Sequence, residues 1–273
     1  MTKAFTRDKR FIVCGSFVAL VLFMALFGPN LAPYDPDEMR AAHRLEPSSR
    51  QFLLGTDSFG RDTLSRLFYG ARVTLFISVV SVLIGVVFGV SLGLLAGFLG
   101  GWVDTVIMRS MDAALTLPPI VLAIFVVTFV GSTLLNVTAV IAVLSIPRFA
   151  RLAYGSTMSV KQNEYVEAMY ALGASTLRIL FRAILPNIAA PIFVQASLSL
   201  AHAILTESSL SFLGLGPPPD VASWGRMIEQ SYRFMHLGAY TIIWPAVMIS
   251  LTVVAFNILG DAARDLIDPR LRT

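Results

Sequence analysis

The stretch VTLFISVVSVLIGVVFGVSLGLLAGFL, Val73 to Leu99, carries no charged residue. A helix rises about 1.5 Å per residue and the hydrocarbon layer of a bilayer is about 30 Å thick, so roughly 20 apolar residues span it. This stretch therefore reads as a transmembrane helix. Within it Gly85, Gly89, Gly93 and Gly97 recur every fourth residue and leave a groove of bare backbone down one face. Lipid tails remove the hydrophobic drive between helices, so helices associate by close packing, and such a groove invites it.

Reading outward, Ala239 to Leu259 is equally free of charge, and Ala113–Val130, Ile188–Leu205 and Phe11–Phe27 are further apolar runs. The shortest run, Leu134 to Ile146, is cut by Pro147 and followed by Arg148 and Arg151. Six spans are expected, making the chain an all-α integral membrane protein. Its composition agrees: 56% apolar and 14% charged, where soluble domains carry about a quarter charged residues. Pro118 and Pro119 should bend the third span and Pro191 the fifth. Arg109 and Asp112, three apart on one helical face, are suited to pair with each other. Asp62 to Tyr69 reads as a short helix at the membrane surface. His202 reads as a packing histidine and Glu207 as an interfacial carboxylate.

The charges lie between the apolar runs. With a cytoplasmic N-terminus, 13 of the 21 lysines and arginines fall inside and 8 outside, the sense of the positive-inside rule. Both termini are then cytoplasmic. A pI of 9.5 does not signal a nucleic-acid partner, because no basic stripe with interleaved aromatics exists. Cys14 is the single cysteine, so no internal disulfide is possible. Lys3 to Arg10 and the apolar run after it read as an uncleaved anchor. The organisation expected is an anchor helix with an external segment (1–72), a multi-span membrane core (73–262) containing a cytoplasmic loop (148–187), and a cytoplasmic tail (263–273).

That loop contains NEYVEAMYALGASTLRILFRAILPN. Asn163 is placed to cap a helix with Glu164 and Glu167 in its first turn, where carboxylates favour the positive dipole end. The helix should run to Leu172 and exit at Gly173, since glycine tolerates the left-handed conformation. Ser175 is placed to cap a second short helix bearing Arg178 and Arg182. Two short helices with small residues at the elbow make a projection suited to docking in a groove.

Glu167-Ala168-Met169, then Gly173, then Leu185-Pro186 resembles the EAA loop of ABC importer permeases at that motif's spacing. Met169 stands where alanine is usual and Ala183 where isoleucine is usual; neither adds a charge or a helix breaker. LGTDSFGRDTLSRLFYGAR (Leu54–Arg72), LSFLGLGPPPDVASWGRM (Leu210–Met227) and GDAARDLIDPRLR (Gly260–Arg272) are similar to the dipeptide/oligopeptide/nickel importer permeases, in the C-type subunit with a short N-terminal region. The resemblance covers essentially the whole chain. It implies the type I ABC importer permease fold in a bacterial inner membrane. It also implies a second homologous permease, two cytoplasmic ATP-binding subunits holding ATP and Mg, and an external solute-binding protein. Glu164, Glu167, Ala168, Gly173, Leu185 and Pro186 would form the ATPase-coupling loop, with peptides or similar small solutes as cargo.

The chain itself offers no phosphate-cradling loop. Its lysines, Lys3, Lys9 and Lys161, are followed by Ala, Arg and Gln, so GxxxxGK[ST] is absent. No catalytic residue and no metal ligand set is expected among His43, His202, His236 and the lone cysteine. An ion-gradient-driven secondary transporter is the first alternative, but it commonly shows internal repeats and mid-membrane ionisable groups. A membrane-embedded enzyme is the second, and it would need polar residues converging inside the bundle.

Overall fold

The computed structural model describes residues 9–238 and 240–267, and its regular elements are helices, with one isolated bridge between Thr56 and Asp62. Helix α1 is Lys9–Leu31, and α2 is Thr63–Leu99, 37 residues long. The short surface helix expected at Asp62 to Tyr69 is instead the outer end of α2. The Asp62 carboxylate caps it, accepting from Ser65 N at 2.8 Å and Ser65 Oγ at 2.7 Å. Arg66 sits in this outer end without facing lipid, because it reaches the Pro36 carbonyl at 3.0 Å and Asp37 at 3.3 Å. The division expected at residue 72 thus falls inside a helix.

Helices α3 (Gly101–Thr116) and α4 (Pro119–Val130) follow, bent against each other by 90° at Leu117–Pro118. The third span is therefore two helices. Pro119 stands at the first position of α4, where its missing N–H leaves no intrahelical bond unmade. Helix α5 is Leu134–Lys161 and passes straight through Pro147. The expected break there is absent, and the span read as shortest is 28 residues long.

Helices α2 and α5 pack in parallel along the glycine groove. A Cβ on Gly89 would lie 2.6 Å from the Ile146 carbonyl oxygen, and one on Gly97 would lie 2.9 Å from Thr157 Cβ. One on Gly93 would meet Ala153 Cβ at 2.7 Å and Tyr154 N at 2.8 Å, and one on Gly85 would meet Ser145. Ser81 Oγ donates to the Thr138 carbonyl at 2.8 Å, extending the seam outward. Parallel packing has a topological consequence. The chain leaves α2 level with the end of α5 and must return to α5's start, so the bent pair carries it back across. Among the described residues, five helices are long and apolar enough to span, and the bent pair makes six.

Beyond α5 lie α6 (Glu164–Ala171), α7 (Thr176–Ile179), a π turn (Leu180–Ile184) and α8 (Leu185–Phe212). The last three run on as one span, Thr176–Phe212. The loop expected over 148–187 is thus mostly the ends of two long helices. Helix α9 (Trp224–Arg233) and α10 (Tyr240–Ile267) complete the fold, so the boundary expected at 262 also falls inside a helix. The tail motif from Asp268 onward lies outside the described residues.

Two apolar clusters hold the bundle. One joins α2, α4, α5 and α8 around Ile77, Leu94, Val127, Phe149 and Ile188. The other joins α1, α2, α8, α9 and α10 around Val21, Leu67, Ile204, Trp224 and Phe256. Asp112 pairs with Arg151 at 3.4 Å, not with Arg109, because α3 lies against α5.

Candidate functional site

Helix α6 stands on one buried side chain, Val166. Asn163 occupies its N-cap position, but its side chain turns back to donate to the Val160 carbonyl at 3.0 Å. The cap is made by the backbone instead, with the Asn163 carbonyl accepting from Val166 N at 2.9 Å. Glu164 and Glu167 occupy the first turn, complementing the dipole. The exit is a Schellman turn: Gly173 N donates to the Tyr170 carbonyl and Ala174 N to the Met169 carbonyl, both at 3.0 Å. Gly173 takes φ +74°, and a Cβ there would meet nothing within 4 Å. Glycine is required here for its backbone angle, not its size.

After the turn, Ser175 precedes α7, which is the inner end of the long span and not a separate short helix. Glu164, Glu167, Ala168 and Gly173 thus share one exposed element. Leu185 and Pro186 do not join it. They lie about 15 Å up the following helix at 1.5 Å per residue. Pro186 follows the π turn, where Leu185 N reaches back to the Leu180 carbonyl. A proline ring presses on the carbonyl four residues earlier in an α-helix, and one wider turn relieves that contact. Pro186 therefore shapes the span beside the projection.

Four apolar residues around this element are exposed: Tyr165, Tyr170, Leu172 and Leu177, with Leu172 87% and Tyr170 69% accessible. Beside them lies a cleft of about 590 Å³ lined by Phe98, Leu99, Lys161, Val166, Glu167 and Tyr170. Lys161 closes one wall, its Nζ donating to the Phe98 carbonyl at 2.6 Å. The exposed apolar residues escaped sequence reading because nothing in the pattern told which face of a two-turn helix is covered. Val166, apolar between Tyr165 and Glu167, was the one available signal.

Two other positions singled out in the sequence lie on α8. Glu207 is fully buried within the protein, and its Oε1 accepts from Ser211 Oγ at 2.8 Å and Ser223 Oγ at 2.9 Å. Ser223 also caps α9, so this carboxylate ties α8 to the turn before α9. Trp224 continues the tie, its indole donating to the Leu67 carbonyl at 3.0 Å against Gly70. His202 is exposed on the bundle flank instead of packed in the core, and it shares a small cavity with Arg148.

Residues 89–273 match the family described as binding-protein-dependent transport system inner membrane component. Residues 1–47 match the N-terminal transmembrane domain of oligopeptide transport permease C. The chain is 42% identical to the glutathione transport system permease protein GsiD of Pectobacterium atrosepticum, covering 99% of this chain and 90% of that one. It is likewise 42% identical to the di/tripeptide transport system permease protein DppC of Pseudomonas aeruginosa, covering 94% and 86%. A permease chain of the methionine ABC transporter MetNI, solved in inward-facing conformations, superposes with a TM-score of 0.61 at 19% identity. The superposition covers 74% of this chain and 97% of that one, a likeness of fold.

Proposed function

This chain belongs to the family of binding-protein-dependent transport inner-membrane components and is a permease subunit of an ABC importer; we propose that it forms half of a path for peptides or similar small solutes and is driven through α6. The names of its relatives, glutathione and di/tripeptide permeases, support the cargo class. The exposed apolar face of α6 carries the rest of the reading. Tyr170 and Leu172 are unfavourable in water and stand on a stiff turn, which suits a cleft in a cytoplasmic ATPase subunit.

In this reading a second permease completes the path, two ATP-binding subunits hold ATP and Mg, and an external binding protein delivers the solute. Closure of the ATPases pulls on α6. That pull passes through the Gly173 turn into the long span Thr176–Phe212. ATP biases the bundle between two states only so far as the ATPases bind α6 differently in each. Glu164 and Glu167 add negative charge at the contact. The chain's own part is mechanical, without an ATP site of its own.

Leu172→Asp tests the docking. Because Leu172 is 87% accessible, the variant should insert and fold normally, yet lose at least about tenfold in capture of the ATPase subunits. Wild-type capture and uptake by this variant would remove α6 from the coupling path. The orientation proposed, both termini in the cytoplasm of an inner membrane, rests on the excess of lysines and arginines on the inner side, still 12 against 8 once Arg148, in the middle of α5, is left out, and has its own test. With Cys14→Ser as background, a cysteine at Pro218 should react with an impermeant thiol reagent from outside, and one at Gln162 only after the membrane is opened. The reverse pattern would invert the topology.

A further inference from the structure

Arg148 is the fifteenth residue of α5, about 21 Å from its Leu134 end at 1.5 Å per residue. His202 lies about 15 Å from the Phe212 end of α8 by the same measure. With a hydrocarbon layer about 30 Å thick, both stand well inside it. They line one cavity of about 40 Å³ together with Ser145, Ser199, Thr206 and Pro119, the residue at the corner of the bent span. Arg148 is only partly covered, and neither a hydrogen bond nor an ion pair engages its guanidinium among the described residues. The carboxylates of the neighbouring helices are taken: Asp112 pairs with Arg151, Asp104 accepts from Tyr154 and Glu207 accepts from serines.

An arginine at this depth does not face lipid tails, whose cost for a charge is several kcal/mol. It faces a partner protein, water or an anion. The surrounding groups distinguish these. Ser145 already uses its hydroxyl proton within the chain, donating to the Ala142 carbonyl at 2.7 Å, whereas Ser199 accepts from Gln195 at 3.2 Å and keeps its own O–H to donate. The hydroxyls are a polar minority in a wall otherwise made by Val82, Pro119, Ile141, Leu144 and Ala203, and they do not neutralise the cation. A guanidinium fork with an imidazole beside it matches a carboxylate, which accepts two parallel N–H bonds. The site touches the bend between α3 and α4 through Pro119.

We propose that Arg148 and His202, in the cavity walled by Ser145, Ser199 and Thr206, form an anion-binding station in the translocation path that takes the carboxylate of the passing solute. This rests on the permease reading. The station is open on its outer side and is completed by the second permease. Its cation holds the solute by one end while leaving the remainder free, which suits carriage of solutes that differ in length.

The test measures the local field by chemistry, without knowing the solute. Thr206→Cys, with Cys14→Ser, is assembled with the second permease and the ATPase subunits in lipid nanodiscs. Its thiol is reacted with the anionic reagent methanethiosulfonate ethylsulfonate and with the cationic ethyltrimethylammonium analogue. Both should react, the anionic one faster than at an exposed cysteine elsewhere on the complex. Adding Arg148→Gln should lower the anionic-to-cationic rate ratio about tenfold, and Arg148→Lys should restore most of it. Ser145→Cys repeats the measurement from α5. If neither thiol reacts in complexes that hydrolyse ATP, the cavity is sealed and the proposal falls. If the ratio ignores Arg148→Gln, the cation is neutralised by the second permease and the proposal falls equally. ATP hydrolysis and its stimulation by the binding protein, measured on the same complexes, read the permease assignment separately.

Discussion

The α2–α5 seam and the α6 elbow both depend on glycine, for opposite reasons. At Gly89 and Gly93 the backbone is ordinary helix and the space is gone: an added Cβ would strike the backbone of α5. At Gly173 the space is unlimited and the backbone is unusual, with φ +74°. The seam holds two parallel spans rigidly together, while the elbow sets the direction of an exposed projection. One region keeps the bundle in a single shape, and the other gives something outside it a grip. A permease needs both, since a pull on the elbow moves the solute path only if the helices behind it move as bodies.

Substitution breaks the comparison most sharply at the seam. Gly93→Leu should leave little correctly assembled subunit, because backbone atoms, unlike a side-chain tip, have nowhere to yield. Gly93→Ala should be milder but still lower the thermal midpoint of the purified complex, and Gly93→Asn should be worse than alanine. Normal assembly of all three would mean the helices separate freely.

At Gly173 the order should reverse. Asparagine tolerates the left-handed region better than alanine, and valine tolerates it least. Uptake should therefore fall in the order Asn, Ala, Val. Valine should abolish transport while membrane insertion stays normal, because a residue forced left-handed costs about 1–2 kcal/mol and the turn unwinds to avoid it. An order that follows size as at the seam, with asparagine below alanine, would mean that the elbow is packed against something in the assembled transporter.

The smallest effect is expected at Glu167. It is exposed at the first turn of α6, so Glu167→Lys reverses a dipole interaction worth about 0.3–1 kcal/mol and one contact charge. Binding-protein-stimulated ATP hydrolysis should drop a few-fold, with salt reducing the difference between variant and wild type. A complete loss would move Glu167 from the rim of the contact to its centre.

Much of this protein was legible in its residues. Uncharged runs long enough to span marked the membrane helices, because lipid admits little else. The four-residue glycine period marked a packing face, and Gly173 after Leu172 marked a helix exit, because both follow from local geometry. The helix partners were not legible. Nothing along Val73–Leu99 names α5 as its neighbour, and nothing near Asp112 names Arg151 39 positions away. Pro147 and Pro118–Pro119 are alike as local breakers, yet one is absorbed in a continuous helix and the other turns the chain by 90°. The surrounding packing decides between those outcomes. Arg148 and His202, one read as a loop charge and the other as a packing residue, meet only because α5 and α8 cross at that level. Composition and period govern what each segment is, since they act within a few turns of chain. Which charges stay unpaired, and where they face, depends on distances between segments, and those exist only in the folded bundle.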